Sequence, residues 1–264
     1  MSEHSARKGL TKENRCALYH FLDYCFPTSD NNEVKHVSFV KDNYEKVDFE
    51  IWFINGVVFV YQVKDYKNLP SGIFFDILDE FMQINNEDED YKNSRFYVVF
   101  LTDEQPQWLF LFEKFLQSYQ SSPNMTIGDI DDYFKHKAQN SVKNELKKYS
   151  SLFKKLYLDI EKRTLTWIDD RCIDALFRGT KDSENVNRKK LKQTYSQILK
   201  EVDDRIIEKK EYIFSKTELR PIIDKIIKEE DIQQEILSEV KSVSKRLKKM
   251  ETPSSSTMTE GTTI

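Results

Sequence analysis

Four polar residues lie where the sequence predicts the middle of a β-sheet. Asp48 and Glu50 fall in the segment VDFEIWFI, and Gln62 and Lys64 end the segment VVFVYQVK. Polar groups buried in a sheet are costly unless they are paired, so these residues require an explanation beyond packing. Carboxylate and amide oxygens bind hard divalent cations, and an ammonium group binds anions. These residue types therefore suit chemistry on an anionic substrate with the help of a divalent cation.

Whether these side chains meet depends on the register of the hairpin between the two segments. A two-residue turn ending at Gly56 would put Gln62 and Lys64 on the face opposite Asp48. A three-residue loop with Gly56 as a left-handed bulge residue would place Asp48 directly opposite Gln62, with Glu50 and Lys64 on the same face. We favour the bulged register because it puts Phe49 beside Tyr61 and Val47 beside Val63, so that the side carrying Val47, Phe49, Ile51 and Phe53 becomes one unbroken apolar face.

The apolar pattern around the hairpin predicts the elements that position it. Residues 11–26 carry a helical apolar stripe, and residues 34–40 are typical of a first strand. After the hairpin, residues 72–84 and 105–119 are predicted as helices on either side of a strand at 95–101. The order is helix, three strands, helix, strand, helix, which indicates an α/β fold.

The order of these residues resembles a known nuclease signature. Asp48, followed on the next strand by Gln62-Val63-Lys64, resembles the motif of the PD-(D/E)XK nucleases, in which an acidic residue precedes (Glu/Gln)-x-Lys. The helix, three-stranded antiparallel meander, helix and strand resemble the restriction-endonuclease-like core of that superfamily. The segment YEKVDFEIWFINGVVFVYQVKDY is more closely similar to the double-stranded DNA endonuclease domains of CBASS and Lamassu anti-phage effectors. The resemblance covers roughly residues 10–115.

The resemblance implies the roles of the site residues. Asp48, Gln62 and the Val63 carbonyl would supply oxygen ligands to Mg²⁺ or Mn²⁺. The cation would polarise the scissile phosphate and activate water. Lys64 would position that water or stabilise the charge that develops on the phosphate.

The second acidic ligand remains open between two residues. It is either Glu13, on the first helix, or Glu50, two residues along from Asp48. Gln62 departs from the commoner glutamate, which leaves one fewer formal charge and predicts weaker metal binding. A purely structural pairing of Asp48 with Lys64 on a solvated sheet face is the simpler alternative.

Beyond residue 121 almost every segment has a helical pattern. This part is predicted as an all-helical regulatory or oligomerisation module with four helices, at about 129–161, 166–178, 185–213 and 216–249. The chain thus divides into a nuclease domain at 1–120, the helical module at 121–250 and a disordered polar tail at 251–264. The apolar stripe of the last helix indicates docking, either against a second copy or a partner protein or within the chain itself.

Charge is distributed unevenly between these parts. Residues 1–134 hold 12 Lys and Arg against 23 Asp and Glu, whereas residues 135–250 hold 29 against 20. An acidic half that must approach a polyanion needs a divalent cation or a basic surface nearby. Ordinary solvated helix faces would give the same charge pattern.

Composition excludes some classes of protein. No run of eighteen apolar residues predicts a membrane span, and the polar N-terminus has no secretory signal. Cys16, Cys25 and Cys172 match no zinc motif and are expected to be reduced and mostly buried in a cytoplasmic protein.

The sequence therefore predicts a Mg²⁺- or Mn²⁺-dependent endonuclease acting on double-stranded DNA. By resemblance it would be the effector of a bacterial anti-phage system, regulated by oligomerisation or by a defence-system partner. Two alternatives are a retired nuclease fold that binds nucleic acid without cutting it, and a helical adaptor for which the α/β half is only a scaffold.

Overall fold

The computed structural model describes residues 3–27, 33–39, 47–87, 89–136, 139–160, 164–180, 186–209 and 212–250. Within these ranges helices and six strands build an α/β fold around one sheet. The tail predicted to be disordered, residues 251–264, lies outside the described residues.

The six strands form a single mixed sheet in the order β5-β4-β3-β2-β1-β6. The first three strands form an antiparallel meander, β4 lies parallel to β3, β5 lies parallel to β4, and β6 pairs antiparallel with β1. Their bounds are β1 Val34–Phe39, β2 Phe49–Phe53, β3 Val58–Lys64, β4 Arg95–Phe100, β5 Leu156–Asp159 and β6 Tyr212–Ser215.

The α-helices flank and extend the sheet. They are α1 Glu3–Cys25, α2 Ser71–Glu87, α3 Gln107–Ser121, α4 Ile130–Tyr133, α5 Asn140–Leu146, α6 Leu165–Gly179, α7 Arg188–Lys209 and α8 Lys216–Met250. The first helix begins at Glu3, eight residues before the predicted start at residue 11. None of the helices in the described ranges is long and apolar enough to cross a membrane.

Each face of the sheet has its own apolar core. Helix α1 covers one face, where Phe21 packs in the same cluster as Ile51 of β2, and α6 and α7 pack against α1 and add residues to that cluster. Residues of α2 and α3 cover the other face, where Phe74 and Phe112 pack with Val60 of β3. Helices on both faces explain why the central strand β3 is apolar on both sides, as is usual for strands buried between two helical layers.

The hairpin between β2 and β3 has the bulged register that the sequence favours. Phe49 pairs with Tyr61, and the Gly56 N–H donates a hydrogen bond to the Phe53 carbonyl at 3.1 Å. Gly56 has a φ of 79°, in the left-handed region where a residue without a side chain is least strained. This register places Asp48 across from Gln62.

The prediction of an all-helical segment after residue 121 is wrong. The region predicted as a helix at 129–161 contains two short helices, a 3-10 helix and strand β5, and the helix predicted at 185–213 ends at Lys209, ahead of strand β6. The two strands extend opposite edges of the sheet. Each is only four residues long, and pairing with a sheet edge far away in sequence overrides the helical tendency of the surrounding segment.

Candidate metal and phosphate site

Asp48 and Gln62 meet at the end of the hairpin that is farthest from its turn. Asp48 directly precedes β2, and its Oδ2 accepts hydrogen bonds from Gln62 Nε2 and from the Val63 backbone N–H, the latter at 2.5 Å. Gln62 is buried, with 2% of its surface exposed. The structure thus brings together the aspartate and the amide that the motif predicts.

The alternation of side chains along the first strand of the hairpin is interrupted at Asp48, just before β2. The Asp48 N–H donates to the Tyr61 carbonyl at 2.9 Å, and the Val63 N–H donates to the Asp48 side chain rather than to backbone. Val47 consequently packs in the core on the α2 and α3 side, whereas Phe49 packs on the α1 side. The expected unbroken apolar face from Val47 to Phe53 is therefore wrong, because this irregularity turns the chain just before β2 begins.

Helix α1 brings Glu13 into the electrostatic environment of Asp48 and Lys64. Burial, reinforced by the nearby charge of Glu13, raises the pKa of Asp48 to about 8, although the ammonium of Lys64 opposes both effects. Burial likewise raises the pKa of Glu13, again opposed by Lys64. Two carboxylates that disfavour each other's charge beside one lysine form a site in which an added cation would be stabilised.

As expected, Glu50 pairs with Val60, on the sheet face to which Lys64 belongs by alternation, but it lies outside this site and not beside Asp48 as the alternative metal ligand would. Its carboxylate accepts hydrogen bonds from Tyr91 Oη at 2.6 Å and from Trp52 Nε1 at 2.9 Å. Only 1% of Glu50 is exposed. These bonds hold the carboxylate toward the 3-10 turn that precedes β4. Of the two candidates, Glu13 is the one close enough to influence Asp48.

An ion pair made by the residue before Glu13 connects this turn of α1 to the end of β3. Lys12, its neighbour on α1, pairs with Asp65, the residue that follows β3. Both side chains are partly exposed, so the pair contributes little to stability by itself. Its effect on the site is geometric, because it ties the turn of α1 that carries Glu13 to the strand that carries Lys64.

The next two residues of α1 connect the site to the C-terminal helices. Asn14 Nδ2 donates to Asp203 Oδ1 of α7 at 2.5 Å, and Arg15 Nη1 donates to Asp169 Oδ2 of α6 at 2.9 Å. The sequence carries no sign of these contacts, because partners more than 150 positions apart leave no local pattern. The helices after residue 160 therefore take part in positioning the candidate site.

The donor atoms of the site fit a hard divalent cation. Glu13 and Asp48 offer carboxylate oxygens, Gln62 an amide oxygen and Val63 a backbone carbonyl, which are the ligand types that Mg²⁺ and Mn²⁺ prefer. Gln62 Oε1 is buried with no hydrogen-bond partner in the described part of the chain, although buried polar atoms are normally satisfied. Nowhere in the described ranges do three His, Cys, Asp or Glu side chains cluster to hold a metal ion, so here the amide would complete the ligand set.

The three cysteines are buried and none forms a disulfide, as the sequence predicts. Burial raises the pKa of the Cys25 thiol to about 12 and raises the pKa of Cys172 as well. Thiols held in this way are poor nucleophiles and poor metal ligands at neutral pH. They have no part in the candidate site.

Comparison with known proteins defines the class of the fold. No family model and no curated protein matches the sequence. Among solved structures, the fold is similar to that of Cap4 SAVED/CARF-domain containing receptors. The Acinetobacter baumannii receptor with the cyclic trinucleotide 3'3'3'-cAAA aligns with 13% identity and a TM-score of 0.57, covering 85% of this chain and 48% of that one.

A second receptor gives the same result. The Moraxella osloensis Cap4 SAVED/CARF-domain containing receptor aligns with 13% identity and a TM-score of 0.58, again over 85% of this chain and 48% of that one. The chain thus spans about half the length of the receptors it matches. At this identity the likeness is one of fold alone.

Proposed function

We propose that this chain is a metal-dependent DNA endonuclease. The observation that carries the proposal is the convergence of Asp48, Gln62 and Lys64 from the hairpin with Glu13 from α1. A structural pairing of aspartate with lysine would account for Asp48 and Lys64, but it would explain neither a second carboxylate with a raised pKa nor the unpaired Gln62 amide oxygen.

Each residue of the cluster has a distinct task in this proposal. Asp48 and Glu13 bind the cation, which supplies polarisation of the phosphate and activation of water. Gln62 orients Asp48 through its Nε2 and directs its amide oxygen to the cation. Lys64 stabilises the negative charge that develops on the phosphate during attack. The proposed active site is thus built on rigid strands and one anchored helix.

Double-stranded DNA is the substrate that the motif resemblance favours. The excess of 29 Lys and Arg over 20 Asp and Glu in residues 135–250 supplies basic side chains beyond the acidic first half. Some of these lysines form ion pairs, such as Lys147 with Asp131 and Lys148 with Glu145. Lysine and arginine side chains on exposed helix faces can bind a phosphate backbone without reading its sequence.

The proposed biological role is that of an anti-phage defence effector. Two lines support it: the resemblance of the hairpin motif, and the fold likeness to Cap4 receptors. An unregulated nuclease would harm its own cell, so control by oligomerisation or by a partner is part of the proposal. A surface suited to that control is the exposed apolar stripe on α8, formed by Ile236, Leu237, Val240 and Val243.

Cleavage of plasmid DNA in the presence of Mg²⁺ or Mn²⁺ tests the proposed activity. We expect the wild-type chain to cut, and Lys64→Ala and Asp48→Asn to lower the rate by roughly two orders of magnitude or more. Lys92→Ala is the matched control, because Lys92 is an exposed lysine before β4, at the opposite end of the sheet from Lys64. Equal cleavage by wild type and Lys64→Ala would exclude this active site.

The regulatory part of the proposal has a separate test. Cleavage rate measured across chain concentrations should rise more steeply than linearly if association activates the site. A monomer that cuts at full rate without any partner would contradict regulation by association while leaving the proposed active site intact.

A second candidate function is ligand sensing. It is favoured by the fold likeness to a Cap4 receptor whose structure contains a cyclic trinucleotide. Titration of this chain with 3'3'3'-cAAA, followed by calorimetry, discriminates between the candidates. Saturable binding together with no metal affinity at Asp48 would favour a sensor over a nuclease.

A further inference from the structure

A cavity lies at the opposite end of the β2–β3 hairpin from the candidate active site. Its volume is about 380 Å³, within the range of about 300–1,000 Å³ that is typical of small-molecule sites. Ile54 lines it just after β2, whereas Asp48 lies just before β2, so about 20 Å of strand separates the two places.

The walls of the cavity are apolar and come from separate segments. They include Phe26 after α1, Val34 at the start of β1 and Ile54 of the hairpin loop. Ile54 is 63% exposed, although it is a large apolar side chain. Covering such a side chain with an apolar group is favourable in proportion to the area removed from water.

Three cations surround these apolar walls. Lys35 of β1 and Lys216 and Arg220 of α8 line the cavity, and no Asp or Glu is among its described lining residues. Arg220 bonds Asp224 on the outer side of α8 at 3.1 Å, and that pair is exposed and weak. The cavity therefore carries a net positive charge next to an apolar surface.

We propose that this cavity binds a small organic anion. Its phosphate, sulfonate or carboxylate group is held by Lys35, Lys216 and Arg220, and its apolar body packs on Phe26 and Ile54. The ligand contacts α1, β1, the hairpin loop and α8 together, so its binding stabilises the assembled fold by mass action. This site does not depend on whether the hairpin cuts DNA.

A fluorescent anion with an apolar body tests the proposal directly. The probe is 8-anilinonaphthalene-1-sulfonate, titrated into the full chain under native conditions. We expect one saturable site, and we expect the double variant Lys216→Glu, Arg220→Glu to weaken binding by roughly tenfold or more, because two attractive charges become repulsive. Ile54→Ser should weaken binding several-fold by removing an apolar wall that contributes little to the core.

Matched controls separate this cavity from other apolar surfaces. Lys241→Glu reverses one charge on the exposed part of α8, half the charge change of the double variant, and Val240→Ser removes an exposed apolar side chain of α8 outside the cavity. Both should bind the dye as the wild type does. Binding that is unaffected by the double charge reversal, or that is lost with Val240→Ser, would overturn the proposal.

Displacement of the dye by organic anions of known structure indicates which kind of apolar group the cavity accepts. Displacement of the dye by adenosine monophosphate would indicate an aromatic anion, and displacement by decanoate an aliphatic one. Inorganic phosphate should displace the dye far more weakly than either, because it lacks the apolar body. Failure of both organic anions at millimolar concentration would contradict a small-molecule site here.

Discussion

At the scale of single residues, two glutamates near the hairpin, the half-buried Glu13 and the buried Glu50, have different surroundings. Glu13 lies beside Asp48 and Lys64 and has a raised pKa because of burial, whereas Glu50 accepts hydrogen bonds from Tyr91 and Trp52. The sequence does not distinguish the two glutamates as metal ligands, since both fit the motif. The choice depends on where α1 and the 3-10 turn before β4 pack, which is a tertiary property.

This difference predicts that replacing glutamate by glutamine affects metal binding at one position and stability at the other. Glu13→Gln should lower the affinity for Mn²⁺ by roughly 10–100-fold and change stability little. Glu50→Gln should leave Mn²⁺ affinity unchanged and lower the free energy of unfolding by about 1–3 kcal/mol, because buried hydrogen bonds to a charged group are lost. Urea unfolding and metal titration of both variants check this, and a loss of metal affinity with Glu50→Gln would reassign the ligand.

The raised pKa of Asp48 predicts how stability depends on pH in the absence of metal. In the folded chain the Asp48 carboxyl keeps its proton up to about pH 8, whereas in the unfolded chain it releases the proton near pH 4. Stability from this group is thus fully present below about pH 4 and is lost as the pH rises through about 8. A chain with Asp48→Asn keeps the neutral form at every pH.

We therefore expect Asp48→Asn to unfold at a higher temperature than wild type at pH 8 with chelator, and at an equal temperature at pH 4. The gain should be a few degrees, at about 2–4 °C per kcal/mol for a chain of this size. Differential scanning fluorimetry at the two pH values measures it. A variant less stable than wild type at pH 8 would show that the Asp48 carboxylate is stabilised, rather than strained, by its surroundings.

At the scale of elements, the hairpin is the part that the sequence predicts best. Its register depends on a local feature, the left-handed residue Gly56 in a three-residue loop, so a short segment contains the needed information. Strands β5 and β6 are the opposite case, since their identity depends on sheet edges contributed by distant residues. The local apolar pattern of the segments that form β5 and β6 predicts a helix.

The positive φ of Gly56 makes a specific prediction. Gly56→Ala should destabilise the chain by about 1–2 kcal/mol, because the left-handed conformation is strained for any residue with a side chain. Gly72→Ala is the control, since a Cβ would meet no atom within 4 Å at either glycine and only Gly56 has a positive φ. Equal unfolding midpoints for the two variants would contradict the bulged turn.

At the scale of the whole molecule, the proposed nuclease core and the C-terminal helices share one packing unit. Residues of α6 and α7 belong to the same apolar cluster as α1 and β2, and Asn14 and Arg15 bond to them directly. The predicted division at residue 120 remains a hypothesis about function. A chain divided there would lack the helices α6 and α7, which pack against α1.

A chain that ends at residue 120 is therefore expected to fold poorly. It would expose the outer side of α1 and both sheet edges that β5 and β6 cover, which favours aggregation. Circular dichroism and size-exclusion chromatography of this truncated chain measure the outcome. A monomeric fragment with cooperative unfolding and wild-type Mn²⁺ affinity would show that the later helices are dispensable for the site.

The most direct test of the central claim is Mn²⁺ titration of the metal-free full chain at pH 8, for wild type and Asp48→Asn. We expect one ion to bind the wild-type chain and the substitution to abolish that binding, because a ligand charge is removed while the contact with the Val63 N–H can persist. Equal binding by both chains, or no binding by wild type, would contradict a metal site at Asp48. Either result would leave a retired nuclease fold or a sensor as the better account.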